Sequence, residues 1–228
     1  MGAIHETGHA RFEQNLPRVA RQADRHGALL WHSRKSEPRV RDAACAQPRI
    51  SGFAPMLAEH FGDQPAFEAG TLFRLFTRAK PGLIRVHADE VTYSAHIILR
   101  YKIERPLIEG EIEAEDVPAM WDKKMESLPG LDARSNFKDG AMQDVHWTDG
   151  AFGCFPSYTL GAMYAAQWFA AMRRTHPDLA PVFDWLHANV WSQGSRWEAP
   201  ALVRRASGEP LNPAYLRAHL ETRYLGGK

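Results

Sequence analysis

From Phe53 to the C-terminus, apolar positions fall into short helical runs divided by glycine and proline. FAPMLAEHFG stops at Gly62, a residue suited to the turn that ends a helix. PAFEAGTLFRLFTRAKPG carries apolar residues at helical spacing and stops at Pro81-Gly82. Asp116 and Pro118 predict a cap and an early-turn proline ahead of AMWDKKMESL. Beyond the Gly/Pro/Asn-rich stretch from Pro129 to Gly140, the spacing predicts helices over roughly 158–174 and 178–191. A last helix is predicted with Asn212 as cap, Pro213 in its first position and Gly226 just past its end. Upstream, GAIHETGHARFEQNLP is a helix-compatible run closed by Pro17, whereas the stretch that follows shows neither a helical nor a strand period.

One segment gives two answers. Between Val91 and Ile103 the apolar residues occupy 91, 93, 95, 97, 99, 101 and 103, a period of two that predicts a strand. A helix also fits, through Val91, Ala95, Ile98 and Leu99, Lys102 and Ile103, with Ala88-Asp89-Glu90 as its first turn. Pattern alone leaves the two open.

The chain has 228 residues, 44% hydrophobic and 24% charged, which excludes disorder and fibrous classes. No apolar run reaches the ~20 residues a membrane span needs, and no secretory leader follows Met1. Two cysteines, Cys45 and Cys154, exclude a disulfide scaffold and fit a reducing cytoplasm. The net charge of +1 points to no nucleic-acid partner, but it is unevenly spread. Between Pro17 and Gly52 eight basic residues face three acids, a local excess of +5, and the remainder carries −4. Such an insert reads either as a polyanion-binding arm or as foreign sequence.

Three motifs carry candidate chemistry. In His5-Glu6-Thr7-Gly8-His9 the histidines are one helical turn apart, so both can reach one zinc ion at about 2.0–2.1 Å. Glu6 is then the general base for a water the metal activates. Two histidines fall one short of the usual three protein ligands, and Glu37 and His32 read as solvated loop residues. The second motif is Gly140-Ala-Met-Gln143-Asp144-Val-His146-Trp147, followed by Gly150, Gly153, Phe155, Pro156 and Tyr158. Its glycines allow close approach of a ligand, and His146 and Tyr158 can donate to an oxyanion; equally, Asp144 and His146 serve a buried structural loop. The third is Ile84-Arg85-Val86-His87-Ala88-Asp89, where Arg85 either grips a carboxylate bidentately or pairs with Asp89 at the helix start. Trp185, Trp191 and Trp197 read as core, and Cys154 as a small buried hydrophobe.

Together these motifs resemble the carboxypeptidase Taq family of metal-dependent carboxypeptidases. The matching strings are MGAIHETGHARFEQNLP, HFGDQPAF, IRVHADEVTY with HIILRYKIERPLIEGEI, and GAMQDVHWTDGAFGCFPSYTLGAMYAAQ. The resemblance implies an all-α fold, the C-terminal half of a large, mostly helical metallocarboxypeptidase, and on that warrant 91–103 is expected to be helix. It further implies a cytoplasmic homodimer that releases C-terminal residues from peptides with broad specificity, using zinc or cobalt, with no nucleic-acid or membrane partner. In its terms His5 and His9 are metal ligands and Glu6 activates water. His146 and Tyr158 stabilise the tetrahedral intermediate or assist the leaving group, and Arg85 meets the substrate's C-terminal end.

The same resemblance divides the chain into a 1–17 metal-binding helix, an anomalous segment 18–52 and a helical part 53–228 of one partial catalytic domain. The family extends far upstream of HETGH, so Met1 is expected to be an internal methionine of the parent. Its HESQS motif, whose glutamate is the third ligand, is expected about 25 residues after His9, where this chain has WHSRKSEPR. Codons such as TGG CAT TCA CGA AAG TCA GAG CCT encode WHSRKSEP, and read one base later they give GIHESQSL. Residues 18–52 are therefore expected to be translated out of frame, with Arg34 or Lys35 standing where a carboxylate ligand belongs. Activity is expected to be impaired or absent, and the alternative is a non-catalytic dimerisation or peptide-binding remnant.

Overall fold

In the computed structural model the described residues are 10, 14, 47–177, 181–194 and 196–226. Among them are eight α-helices and no strand, as the resemblance implies. No helix among them is long and apolar enough to cross a membrane. The chain separates into two compact units, one formed by Met1–Phe76 with Leu160–Lys228, the other by Thr77–Thr159. His5, Glu6, His9, His32, Glu37 and most of the anomalous segment lie outside the described residues.

In the first unit, α1 (Gln47–Phe61) ends at Gly62, whose φ of 82° is the left-handed turn expected there. It begins six residues before the boundary drawn at Phe53. A 3-10 turn over Pro65–Phe67 leads into α2 (Ala69–Phe76). Leu72 is buried there, with Ala54, Leu57 and Phe73 packed on it.

The same unit holds most of α5 (Phe155–Thr175), then α6 (Val182–Asn189), α7 (Ala199–Ser207) and α8 (Ala214–Tyr224). Their core is apolar: Tyr164, Trp168 and Met172, one turn apart along α5, cluster with Leu186, Trp191, Leu202 and Val203. One polar hub is fully partnered. Gln167 donates to the Ser207 hydroxyl at 2.8 Å and to the Pro210 carbonyl at 2.9 Å, and accepts from the Asn212 amide at 2.8 Å. Asn212 Oδ1 in turn takes the Ala214 amide at 2.9 Å, although α8 begins one residue later than expected, with Pro213 and not Asn212 as its N-cap.

Two expectations need correction here. Helix α7 carries no signal in the reading of the sequence, although Pro200 in its first turn and Gly208, at φ 88°, mark its ends. Trp197 is not core: it is 39% exposed, with the Arg205 guanidinium 4.2 Å from its ring centroid.

In the second unit, α3 (Glu90–Ile108) settles the ambiguous segment as a helix. Asp89 is its N-cap, accepting the amides of Val91 and Thr92 at 2.9 Å. Its buried residues are His96, Ile97, Leu99, Arg100, Ile103 and Glu104, a helical face in which every fourth position from 96 is polar. Those inward-facing polar residues are what broke the apolar period. Val91 and Ile98, two of the positions through which the helical reading ran, are 40% and 41% exposed. Helix α4 (Val117–Ser127) sets Trp121 and Met125 against Leu99 and Ile103.

Candidate functional site

The buried polar residues of α3 meet a short loop. Before the helix, a 3-10 turn over Arg85–His87 brings Arg85 inward, and after α4 another turn over Ala141–Gln143 delivers Asp144. Gly140 precedes that turn because nothing larger fits: a Cβ there would lie 2.4 Å from the Asn136 carbonyl oxygen. The Gln143 amide group fixes the approach, donating to the carbonyls of Asp139, Gly140 and Leu83 and accepting the Arg85 amide at 2.8 Å.

At the centre one carboxylate serves two guanidiniums. Arg85 Nε donates to Asp144 Oδ1 at 2.9 Å, and Arg100 Nε to Oδ2 at 2.5 Å. Arg100 is fully buried, with its guanidinium 4.7 Å from the Trp121 ring and 5.6 Å from that of Phe155. It also donates to the His96 carbonyl at 2.8 Å. Burial brings the Arg100 pKa down to about 10, against the opposing pull of Asp144, so it stays a cation at neutral pH. Arg85 ends above its ordinary value: burial opposes its charge, but Tyr93 and Asp144 together outweigh burial. His96, whose Nε2 lies 3.0 Å from the Gly82 carbonyl, is held below its ordinary value by burial and then by Arg100. Two cations and one anion leave this cluster with a single net positive charge.

The predicted residues His146 and Tyr158 come together beside it. His146 Nε2 and the Tyr158 hydroxyl share a hydrogen bond of 3.3 Å, and His146 Nδ1 lies 4.0 Å from Asp144 Oδ1. Phe155, fully buried in the first turn of α5, packs with its ring centroid 4.5 Å from that of the imidazole and tilted 30° to it. The Arg85 guanidinium stands 5.1 Å from the Tyr158 ring, and its Nη1 donates to the Tyr93 hydroxyl at 3.3 Å. Three of the six residues singled out in the sequence (Arg85, His146 and Tyr158) therefore form one cluster within 77–159.

The pairing of Arg85 with Asp89 is not found, because Asp89 is taken by the helix cap and by the Lys80 amide at 2.8 Å. Cys154 is only half-buried, and its carbonyl accepts the Ser157 hydroxyl at 2.6 Å. Tyr93, His96, Arg100 and the bridging role of Asp144 escaped the reading of the sequence. The one advance signal for His96 and Arg100 was the run of polar residues at 96, 100 and 104.

The implied metal has no donor set in this cluster: among the described residues no three His, Cys, Asp or Glu side chains gather. Its candidate ligands, His5 and His9, lie outside the described residues. Their imidazoles suit zinc or cobalt by donor chemistry.

The profile of the family described as carboxypeptidase Taq (M32) metallopeptidase matches residues 1–224. Among individual proteins, thermostable carboxypeptidase 1 of Thermus thermophilus is 36% identical, over 98% of this chain and 46% of its own. Carboxypeptidase 1 of Bacillus subtilis is 32% identical, over 98% of this chain and 47% of its own. Among solved structures, Trypanosoma cruzi metallocarboxypeptidase 1 superposes with a TM-score of 0.91 at 41% identity, covering 98% of this chain and 49% of that one. The chain thus spans about half the length of the relatives it matches.

Proposed function

The chain belongs to the carboxypeptidase Taq (M32) metallopeptidase family, and on that premise we propose that it derives from a zinc-dependent carboxypeptidase of broad specificity whose chemistry is impaired in this sequence. The observation that carries the reading is the convergence of Arg85, His146 and Tyr158 around Asp144. A cationic, largely buried group beside a paired imidazole and phenol suits a peptide's C-terminal end. Arg85 receives the terminal carboxylate. His146 and Tyr158 donate to the carbonyl oxygen as it gains charge, or return a proton to the leaving amine.

His5 and His9 would hold the metal, zinc or alternatively cobalt, which supplies Lewis acidity that makes water a nucleophile near neutral pH. Glu6, adjacent in sequence, accepts the proton of the attacking water. The donor set stops at two because Arg34 or Lys35 stands where the third ligand is expected. A cation at that place repels a divalent metal, so zinc binding is very weak and hydrolysis absent. A shift of reading frame over 18–52 accounts for the missing ligand and the local basic charge together. In the intact parent, the reading places the enzyme in the cytoplasm as a homodimer.

The test is a zinc-titrated peptidase assay on the purified chain, with release of the C-terminal residue followed directly. No zinc-dependent turnover is expected. Appreciable hydrolysis that disappears in Glu6→Gln would overturn the impairment. Rereading the coding DNA between the codons of His9 and Phe53 checks the frame: single-base corrections that restore HESQS make the chain a misread fragment of a working carboxypeptidase, and an unchanged sequence makes the gene a decayed remnant.

A second reading has its own support. The described members of the cluster, Arg85, Asp144, His146 and Tyr158, all lie within 77–159, which favours a peptide-binding remnant that has kept recognition and lost hydrolysis.

A further inference from the structure

We infer that Asp144 is a positioning residue, a carboxylate whose two oxygens hold a buried guanidinium behind and a presented one in front. The inference rests on the reading of Arg85 as the group that meets a peptide's carboxylate. Both arginines reach Asp144 through Nε, at 2.9 and 2.5 Å, so each is held at the root of its planar fork and not at the tip. That contact leaves the terminal nitrogens to other partners. Arg100 spends Nη1 on the His96 carbonyl at 2.8 Å and has no exposed surface, so it cannot meet a ligand. Arg85 spends Nη1 on the Tyr93 hydroxyl and keeps 8% of its surface exposed, beside the Tyr158 ring.

The two arginines therefore divide the work. Arg100, stacked between Trp121 and Phe155, supplies a buried charge that neutralises half of what Asp144 offers. Asp144 is then too weak an anion to quench Arg85, and the cluster's one net positive charge is shown to the ligand through Arg85. The same oxygen that takes Arg85, Oδ1, also lies 4.0 Å from His146 Nδ1, close enough for the charge of Asp144 to act on the imidazole although the two share no hydrogen bond. Gln143, the preceding residue, holds the Arg85 amide at 2.8 Å, which clamps Arg85 from the backbone as well.

Two readouts on the full chain test this. The first is the Arg85 Nε–H resonance in 15N-labelled protein, assigned through Arg85→Lys. Arg134 is the internal control, since it also meets a carboxylate through Nε, at 3.0 Å, but on the surface. The Arg85 signal is expected to persist at pH 7 where that of Arg134 exchanges away, and to be lost in Asp144→Asn.

The second is binding of an N-acetylated dipeptide against its C-terminal amide. The unmodified chain is expected to prefer the acid by about tenfold or more, the scale of a charge-assisted bond. Asp144→Asn is expected to lose that preference while keeping its helical circular dichroism, and Asp144→Glu to regain part of it. A folded Asp144→Asn that still prefers the acid overturns the inference. Equal binding of acid and amide by the unmodified chain overturns the reading of Arg85 and leaves the resonance to judge Asp144. Should the Asn variant not fold, the unmodified resonance decides: exchange as fast as Arg134 overturns the bridge, and persistence supports it.

Discussion

The two cores of this chain differ in what they bury. Residues 160–226 bury tryptophan, leucine and valine around a single glutamine hub whose partners are all neutral. Residues 77–159 bury Leu99, Ile103, Trp121 and Met125 as well, but thread through them His96, Arg100, Glu104 and Asp144, each at most 5% exposed. Apolar burial is non-directional and scales with area, so the first core tolerates rearrangement. A buried ion network holds only when each charge keeps its partner, so the second fixes one arrangement of side chains. The candidate site is built on the second core.

The largest expected effect tests that contrast where it is sharpest. Asp144→Ala leaves two guanidiniums buried together with no anion, and should cost about 3–5 kcal/mol of stability. Urea unfolding followed by circular dichroism reads it. A loss below 1 kcal/mol would mean that water or rearrangement solvates the arginines, and that the two cores are less different than their composition suggests.

Leu202→Ala makes the matching change in the apolar core. Leu202 is fully buried among Trp168, Val203 and their neighbours, and its truncation should cost about 3 kcal/mol. The stability losses are comparable, but their consequences are not. Leu202→Ala should leave the preference for a dipeptide acid over its amide unchanged, because no residue of the cluster around Asp144 lies in 160–228. If that preference fell with Leu202, recognition would depend on both cores.

This contrast also explains what was legible in the sequence. The apolar core announced itself: α5, α6 and α8 lie close to where apolar spacing, Pro213 and Asn212 put them. Its misses were local, a short α7 and a Trp197 that prefers the Arg205 guanidinium to the interior. In the other region the apolar pattern left strand and helix open, because α3 turns polar residues inward where a pattern expects leucine. Family likeness, not periodicity, resolved it. The site followed the same rule. Arg85, His146 and Tyr158 were chosen for residue type within motifs, whereas Arg100 and His96, although inside the matching string HIILRYKIERPLIEGEI, were given no role until α3 was seen to close on Asp144.

Acid should separate the cores next. His96 is held neutral by burial and by Arg100, with Arg85 adding to the repulsion and Asp144 opposing it. A histidine with a lowered folded-state value takes up a proton more readily when unfolded. Stability therefore rises with pH up to the ordinary histidine range near 6.5 and is lost below it. The urea midpoint should fall between pH 7.5 and 5.5, and His96→Gln should flatten that slope. An unchanged slope in the variant would assign the acid sensitivity elsewhere.

The smallest effect has the opposite sign. Glu104 is 2% exposed, and burial pushes its carboxyl above the ordinary value of 4.5 although the Gly153 amide donates to it at 2.7 Å. An acid with a raised folded-state value holds its proton longer in the fold than in the unfolded chain. Its contribution is therefore greatest at low pH and declines as pH rises past 4.5 through the folded value. At neutral pH the charged form is a net burden that one backbone donor does not offset. Glu104→Gln keeps an oxygen to accept from Gly153 and removes the charge, so the variant should be slightly more stable than the parent at pH 7 and equal or less stable near pH 4. As pH rises, Glu104 and His96 pull in opposite directions, and the double variant should be flatter than either single one. A Glu104→Gln chain that is destabilised at pH 7 would mean that the carboxylate's charge is itself part of the network, and that Arg100 and Arg85 draw on more than one anion.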